Sequence, residues 1–277
     1  MKVMDQVITS RQNPTVKWAV TLQERKGRDA VQAFLAEGEK LTLEAARGGL
    51  FVSHIFVSQS QSSALLPRLL AAFSDARYDG TVLMILEDFV FEKISTEKTP
   101  RGVISVVKYL DFFKELDIMY KEDFLKMTGE RVLVLCSVRD PGNLGSVIRS
   151  AVAFGVRHII LSDDCADVYN PKTVRSAMGS LFHVRLTCVR DMASVVLSAQ
   201  AVGRRVLAAE LRAHAVPIDE AHLTGEDIIL IGNEGHGIDE RLSSLATGSV
   251  YIPIAEQTES LNAAVAAALF MFAQGRL

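Results

Sequence analysis

Val132-Leu-Val-Leu-Cys-Ser-Val138, followed after Arg139 by Asp140-Pro-Gly-Asn-Leu-Gly-Ser-Val-Ile-Arg149, is the stretch that decides the fold. Its first part is nearly continuous in apolar residues, the pattern of a strand in a parallel sheet covered on both faces. Pro141 and Gly142 make the turn that leaves this strand, and the spacing over 143–154 predicts a helix. Asn143 then stands at a helix N-terminus, where backbone N–H groups face the loop. Arg149 lies nearly two turns further along. A guanidinium there can reach a phosphate with paired hydrogen bonds, or simply pair with a surface acid.

The pattern repeats downstream. Apolar runs predict strands at 158–161, 184–187, 206–209, 228–231 and 250–252. Asn170-Pro171 opens a helix, with Asn as the cap and Pro in the first turn. A last helix is expected over 260–273, capped by Ser260. Strands alternating with helices imply a parallel α/β sheet. Upstream, helix signals at 39–46, 64–73 and 87–94 alternate with strand signals at 51–58, 81–86 and 103–107, enough for a small α/β domain. Residues 109–130 are charged and aromatic and read as a linker with some helix. The expected organisation is therefore a first domain over 1–107, a linker over 108–129 and a second domain over 130–277.

The 277 residues are 49% hydrophobic, ample for two buried cores. The longest apolar run, 263–273, is too short to span a bilayer and suits a buried helix packed partly on another subunit. Met1-Lys-Val-Met-Asp5 lacks the apolar core of a signal peptide. Cys136, Cys165 and Cys188 are far apart and odd in number, with no metal or disulfide spacing, so a cytoplasmic location and no metal are expected. The net charge of −3 does not advertise a nucleic-acid binder. Yet Arg11, Lys17, Arg25, Lys26 and Arg28 stand against Glu24 alone, a local basic stretch that either meets phosphates or forms a solvated helix face.

Two further segments carry chemistry. In Leu230-Ile-Gly-Asn-Glu-Gly-His-Gly-Ile-Asp239 the glycines at 232, 235 and 237 are spaced G-x-x-G-x-G, not as a dinucleotide fingerprint, which argues against a nicotinamide-dependent oxidoreductase. They let a loop bring backbone groups close to a ligand. Glu234 among them needs a partner if buried, and His236 reads as a loop residue. In Ile252-Pro-Ile254 and Glu259-Ser-Leu-Asn262, Pro253 ends a strand and Ser260 and Asn262 stand at the start of the last helix. All three segments fall at predicted strand ends, where open α/β sheets place ligand loops, so one composite site is expected.

In this order, Asn143-Leu-Gly-x-x-x-Arg149, Gly232-Asn-Glu-Gly-x-Gly237 and Ser260-Leu-Asn262 resemble the three motifs of the SpoU (TrmH-like) RNA 2′-O-ribose methyltransferases of the SPOUT superfamily. The stretch Asp167-Val-Tyr-Asn-Pro-Lys172 through Arg175-Ser-Ala-Met-Gly179 is similar too. Upstream, Ile8-Thr-Ser-Arg-Gln-Asn-Pro14, Glu37-Gly-Glu-Lys-Leu41 and Thr99-Pro-Arg-Gly102 resemble the ribosomal-protein-like RNA-binding domain that precedes many such enzymes. One departure is Ala255-Glu-Gln-Thr258, where relatives more often carry a glycine-rich stretch.

The resemblance implies an α/β fold: a mostly parallel C-terminal sheet with helices on both faces and a trefoil knot, preceded by the small RNA-binding domain. General topology rules alone argue against such a knot. It also implies a homodimer that binds S-adenosylmethionine through Ala208, Ala209, Ile231, Gly232, Glu234, Gly235, Ile252, Ile254 and Leu261. Asn143, Arg149, Glu234, Ser260 and Asn262 match the family's active-site positions. Arg11, Lys17, Lys40, Arg101, Lys172 and Arg175 are the RNA-binding candidates. The implied chemistry is methylation of a ribose 2′-hydroxyl, in large-subunit ribosomal RNA rather than transfer RNA, because an extra domain can grip a structured stem-loop. A transfer-RNA enzyme and a non-catalytic RNA-binding module of the same fold are the alternatives.

Overall fold

The computed structural model describes residues 1–4, 6–233 and 235–275. By internal packing the chain forms two compact units: Met1–Leu110 with Asp167–Phe182, and Asp111–Ala166 with His183–Leu277.

The first unit contains β1 (Lys2–Val3), α1 (Pro14–Thr21), α2 (Arg25–Val31), β2 (Ala33–Glu37), α3 (Glu39–Arg47), β3 (Val52–Ser58), α4 (Gln59–Ala72), β4 (Val82–Leu86), α5 (Asp88–Ile94) and β5 (Val103–Lys108). Its sheet runs β1-β4-β3-β5-β2. β1, β4 and β3 are parallel, while β5 runs antiparallel to β3 and β2. The basic stretch 11–28, unassigned from sequence, builds α1 and α2. Asn13 caps α1 by accepting the amides of Thr15 and Val16, with Pro14 in the first turn. Val16, Ala19 and Leu22 then enter a core with Phe56, Leu86, Phe91 and Ile104.

The second unit contains β6 (Phe113–Leu116), α6 (Lys121–Leu125), β7 (Val132–Leu135), α7 (Pro141–Ala153) and β8 (His158–Ser162). After β8 the chain lends α8 (Pro171–Ala177) to the first unit, with Asn170 capping it as expected. It then returns as β9 (Arg185–Val189), α9 (Met192–Ala201), β10 (Val206–Ala209), β11 (Val216–Pro217), β12 (Ile228–Ile231), α10 (Glu240–Leu245), β13 (Gly248–Tyr251) and α11 (Ala263–Ala273). The expected linker contributes two elements to the second unit: β6 is an edge strand of the second sheet and α6 packs with α9.

The second sheet, β11-β13-β10-β12-β7-β8-β9-β6, is parallel at every pairing. Side chains alternate across it. Val132, Val134, Val206, Ala208, Ile228 and Leu230 meet Phe124 of α6 and Met192, Val195 and Val196 of α9 in one core. Leu133, Leu135, Ile229 and Ile231, equally buried, point the other way, where α11 packs on β12 and α7. Coverage on both faces explains why β7 is apolar without alternation. Arg131, just before β7, donates to the carbonyl oxygens of Phe154, Met271 and Gly275, tying together the C-terminal ends of α7 and α11.

Candidate active site

Because the sheet is parallel, β7, β10, β12 and β13 all end at one edge. Leu135 is level with Ile231, Ala208 with Leu230, and Ala209 with Val250. The segments that leave this edge are 136–143, 210–212, 232–238 and 252–262, and they include the second and third sequence motifs and the start of the first.

The first leaves β7 sooner than the expected strand end at Val138. Cys136 extends the ladder, its amide donating to Ile231 O at 2.8 Å. Ser137 then takes a left-handed backbone, φ +59°, which breaks the strand. Burial pushes the Cys136 thiol well above its ordinary pKa, so it is an inert apolar filler. Helix α7 starts at Pro141, ahead of the expected Asn143, because Asp140 caps it and accepts the Asn143 amide at 2.9 Å. The Asn143 backbone N–H is therefore spent on the cap, and its side chain faces the site. Arg149 is exposed on α7 and forms no ion pair among the described residues.

The glycine loop closes on itself. Asn233 and Gly237 exchange backbone hydrogen bonds at 3.0 and 2.9 Å. A Cβ on Gly232 would lie 2.4 Å from the Gly237 carbonyl carbon, so only glycine allows this closure. Asn233 pins the loop: its Oδ1 accepts the Gly235 and His236 amides at 2.8 and 3.3 Å, and its Nδ2 donates to Ser137 O at 2.9 Å. Glu234, expected here for both cofactor and catalysis, lies outside the described residues.

The third segment differs from expectation at its helix start. α11 begins at Ala263, and its cap is Asn262, whose Oδ1 accepts the Ala264 amide at 2.9 Å. Ser260 is not the cap; it is exposed, two residues before Asn262. Asn262 also donates from Nδ2 to Asn143 Oδ1 at 2.9 Å. The first and third motifs thus meet directly, and the second is tied through Asn233 to Ser137, just upstream of the first. Ile231 and Ala208 are buried, Ala209, Ile252 and Leu261 half-buried, and Ile254 exposed.

Three supports were missed from sequence. Asp164 accepts from Ser162 Oγ at 2.6 Å, and from Ser137 Oγ and Arg139 Nη2 at 2.7 Å each. Against the opposing effect of burial, the Ser162, Arg139 and Ser137 donors hold its carboxyl below the usual range. Glu210, just past β10, accepts from Ser243 of α10, from Ser249 Oγ of β13 at 3.1 Å and from Arg212 Nε at 3.0 Å. Asn233 lies inside the second motif, but no sequence signal marks it as the residue that pins the loop. Beside the near neighbours Ser162 and Arg212, the partners of Asp164 and Glu210 are brought to them by strand order, which leaves no local signal.

In the first unit, Arg101 and Arg175 line one open cleft of about 650 Å³ with Thr96, Lys98 and Thr99. Arg175 also pairs there with Glu97. The other RNA candidates are elsewhere. Arg11 donates to Phe89 O at 3.0 Å and lies over its ring. Lys40 is 3.9 Å from Glu44, and Lys17 and Lys172 are exposed. Arg28 of the basic stretch is buried and holds Asp167 at 2.5 Å, so it is closed to any phosphate.

The SpoU rRNA Methylase family matches residues 130–272, and the MRM3-like substrate binding domain matches residues 13–105. The chain is 33% identical over 265 residues to the 23S rRNA (guanosine(2553)-2′-O)-methyltransferase RlmP of Bacillus subtilis, covering 96% of this chain and 97% of that protein. It is 30% identical to the 23S rRNA (uridine(2479)-2′-O)-methyltransferase of Streptomyces viridochromogenes, covering 96% of this chain and 90% of that one. Among solved structures, the AdoMet-bound rRNA methyltransferase from Sinorhizobium meliloti superimposes with a TM-score of 0.81 at 30% identity, over 98% of this chain and 97% of that chain.

Proposed function

Since the chain belongs to the SpoU rRNA methylase family, we propose that it methylates a ribose 2′-hydroxyl of large-subunit ribosomal RNA with S-adenosylmethionine as donor. The observation that carries this reading is the meeting of the three motif segments at one sheet edge, closed by the Asn262–Asn143 hydrogen bond.

The residues present suit the cofactor. A glycine turn that only a missing Cβ permits brings backbone close to the end of β12, and Ile252, Ile254 and Leu261 supply apolar surface for an adenosine. When bound, S-adenosylmethionine supplies an electrophilic methyl group. The chain's own residues must then orient and activate the hydroxyl, a weak nucleophile when neutral. Arg149, exposed on the helix that leaves the first motif, holds an RNA phosphate and stabilises the developing alkoxide. Guanidinium keeps its proton in proteins, so a fixed charge is the better account than a base. Asn143 and Asn262, already bonded to one another, orient the sugar, and Ser260 offers a hydroxyl to it. Positioning the oxygen in line with the methyl group carries much of the rate.

Two groups extend this reading. The cleft at Thr96–Arg101 with Arg175 gathers cations and hydroxyls for a phosphodiester, which supports the first unit as the RNA grip. On α11, Val265, Leu269 and Phe272 are 49%, 39% and 56% exposed and share one face, an apolar stripe suited to a second copy of the chain in a homodimer. The trefoil knot is supported by the placement of β12 between the earlier β10 and β7, with α11 folding back onto α7. Among the described residues no helix is long and apolar enough to cross a membrane. The test is incubation with S-adenosylmethionine and ribosomal RNA lacking its 2′-O-methyl groups. The expected product is a ribose-methylated nucleoside, and methylation of a base instead would overturn the reading.

A further inference from the structure

Ser137 belongs to none of the quoted motif segments, yet all of its polar groups are engaged. Its amide donates to Ser162 Oγ at 2.8 Å, and its own Oγ donates to Asp164 Oδ2 at 2.7 Å. Its carbonyl accepts Asn233 Nδ2 at 2.9 Å. Its φ of +59° is one that a residue with a side chain rarely adopts. Such a conformation persists where surrounding contacts over-determine it. Here the contacts come from the end of β8 and the turn after it on one side, and from the glycine loop on the other.

The direction of the Ser137 carbonyl depends on that backbone twist. An extended residue would carry the strand onward, as the apolar run through Val138 suggests from sequence alone. The left-handed turn instead presents the oxygen to Asn233. The same Asn233 side chain, through Oδ1, fixes the amides of Gly235 and His236. A continuous chain of hydrogen bonds therefore runs from Asp164 through Ser137 and Asn233 to the backbone of the glycine loop.

We propose that Ser137 is a positioning residue that presets the glycine loop for the cofactor, holding Asn233 through its carbonyl while Asp164 and Ser162 hold it in the left-handed conformation. This inference rests on the methyltransferase reading. It adds a residue that touches no reactant and acts through Asn233.

The test is a double-mutant cycle read by calorimetric titration of S-adenosylhomocysteine, with thermal melting of each free protein alongside. Ser137→Ala removes the hydroxyl that Asp164 holds. Asn233→Asp removes the donor to Ser137 O but keeps an acceptor for the Gly235 and His236 amides. Each single variant is expected to weaken binding about tenfold, the equilibrium weight of one hydrogen bond. The double variant is expected to bind within about twofold of the weaker single, because both act through one bond. Ser137→Gly separates positioning from stability. Glycine accepts the left-handed backbone freely, so its melting temperature should stay near wild type while binding weakens. Unchanged binding in Ser137→Ala, or fully additive losses in the double variant, overturns the proposal. If Ser137→Ala does not fold, Asp164→Asn takes its place in the cycle with the same expectations and the same contradicting results. Failure of the wild-type protein to bind at all would instead contradict the methyltransferase reading, so the two failures are distinguishable.

Discussion

From Cys136 to Asn143 the backbone is held from three sides, by Ile231, by Ser162 and Asp164, and by Asn233. From Pro253 to Ser260, by contrast, every residue is exposed, and the bend is shaped by one backbone bond, from the Thr258 amide to Ala255 O at 2.9 Å. Both segments serve the same candidate site. The first is built by folding itself, since its partners are neighbouring strands of the sheet. The second gains contacts only at its far end, where Asn262 meets Asn143. One half of the site is thus pre-organised by the fold, and the other is held by few contacts among the described residues.

The strongest loss is predicted on α7, beyond the pre-organised segment. Arg149→Ala should lower methylation by about 10²–10³-fold, the usual cost of deleting a transition-state charge or donor, while S-adenosylmethionine affinity stays within a few-fold. Parallel loss of turnover and cofactor binding in a titration would show that Arg149 belongs to the cofactor loops instead.

On the open side, Asn262→Ala removes the α11 cap and the bridge to Asn143. The cap alone is worth about 1 kcal/mol. A melting temperature lowered by a few degrees with a larger proportional loss of turnover is expected. Equal losses would reduce Asn262 to a cap.

Acid should act first on the strand that supports the pinned loop. Burial depresses the His158 pKa from 6.5 to about 4. The folded state therefore refuses a proton that the unfolded chain accepts, and stability should fall as pH drops from about 6.5 toward 4. The full shift corresponds to roughly 3 kcal/mol. His158→Gln should flatten the melting temperature across this window, and an undiminished slope would place the titration elsewhere. Asp164 has the opposite dependence on charge. Its carboxyl is depressed, so its contribution is present above the ordinary carboxylate pKa and is lost only as pH falls below that range.

The smallest effect belongs to neither side. Lys98→Ala with Arg101→Ala should weaken RNA binding several-fold and reduce its salt slope by about 1–2, leaving cofactor binding untouched. An unaltered salt slope would remove the first-unit cleft from the RNA path.

Much of this arrangement was legible in the chain. The unalternating run at β7 gave a doubly covered strand, and the glycine and proline punctuation gave the loops at the strand ends. What escaped has a common cause. Ser137 reads as one more residue of an apolar strand, because nothing local announces a left-handed turn stabilised by Asp164 and Ser162. Ser260 and Asn262 are both good caps by type, and only the contact with Asn143 favours the second. Arg28 looked like part of a basic face, but Asp167, distant in sequence, buries it. The charged run 109–130 read as a linker because an edge strand such as β6 carries polar residues on its open face. In each case the deciding partner comes from another element, and sequence spacing carries no trace of it.

The decisive experiment is mass-spectrometric mapping of ribose methylation on unmodified ribosomal RNA after incubation with this protein and S-adenosylmethionine. A 2′-O-methylated nucleotide should appear with the wild type and disappear with Arg149→Ala. Undiminished 2′-O-methylation by Arg149→Ala, or wild-type protein that binds the cofactor yet leaves every ribose unmodified, would contradict this expectation.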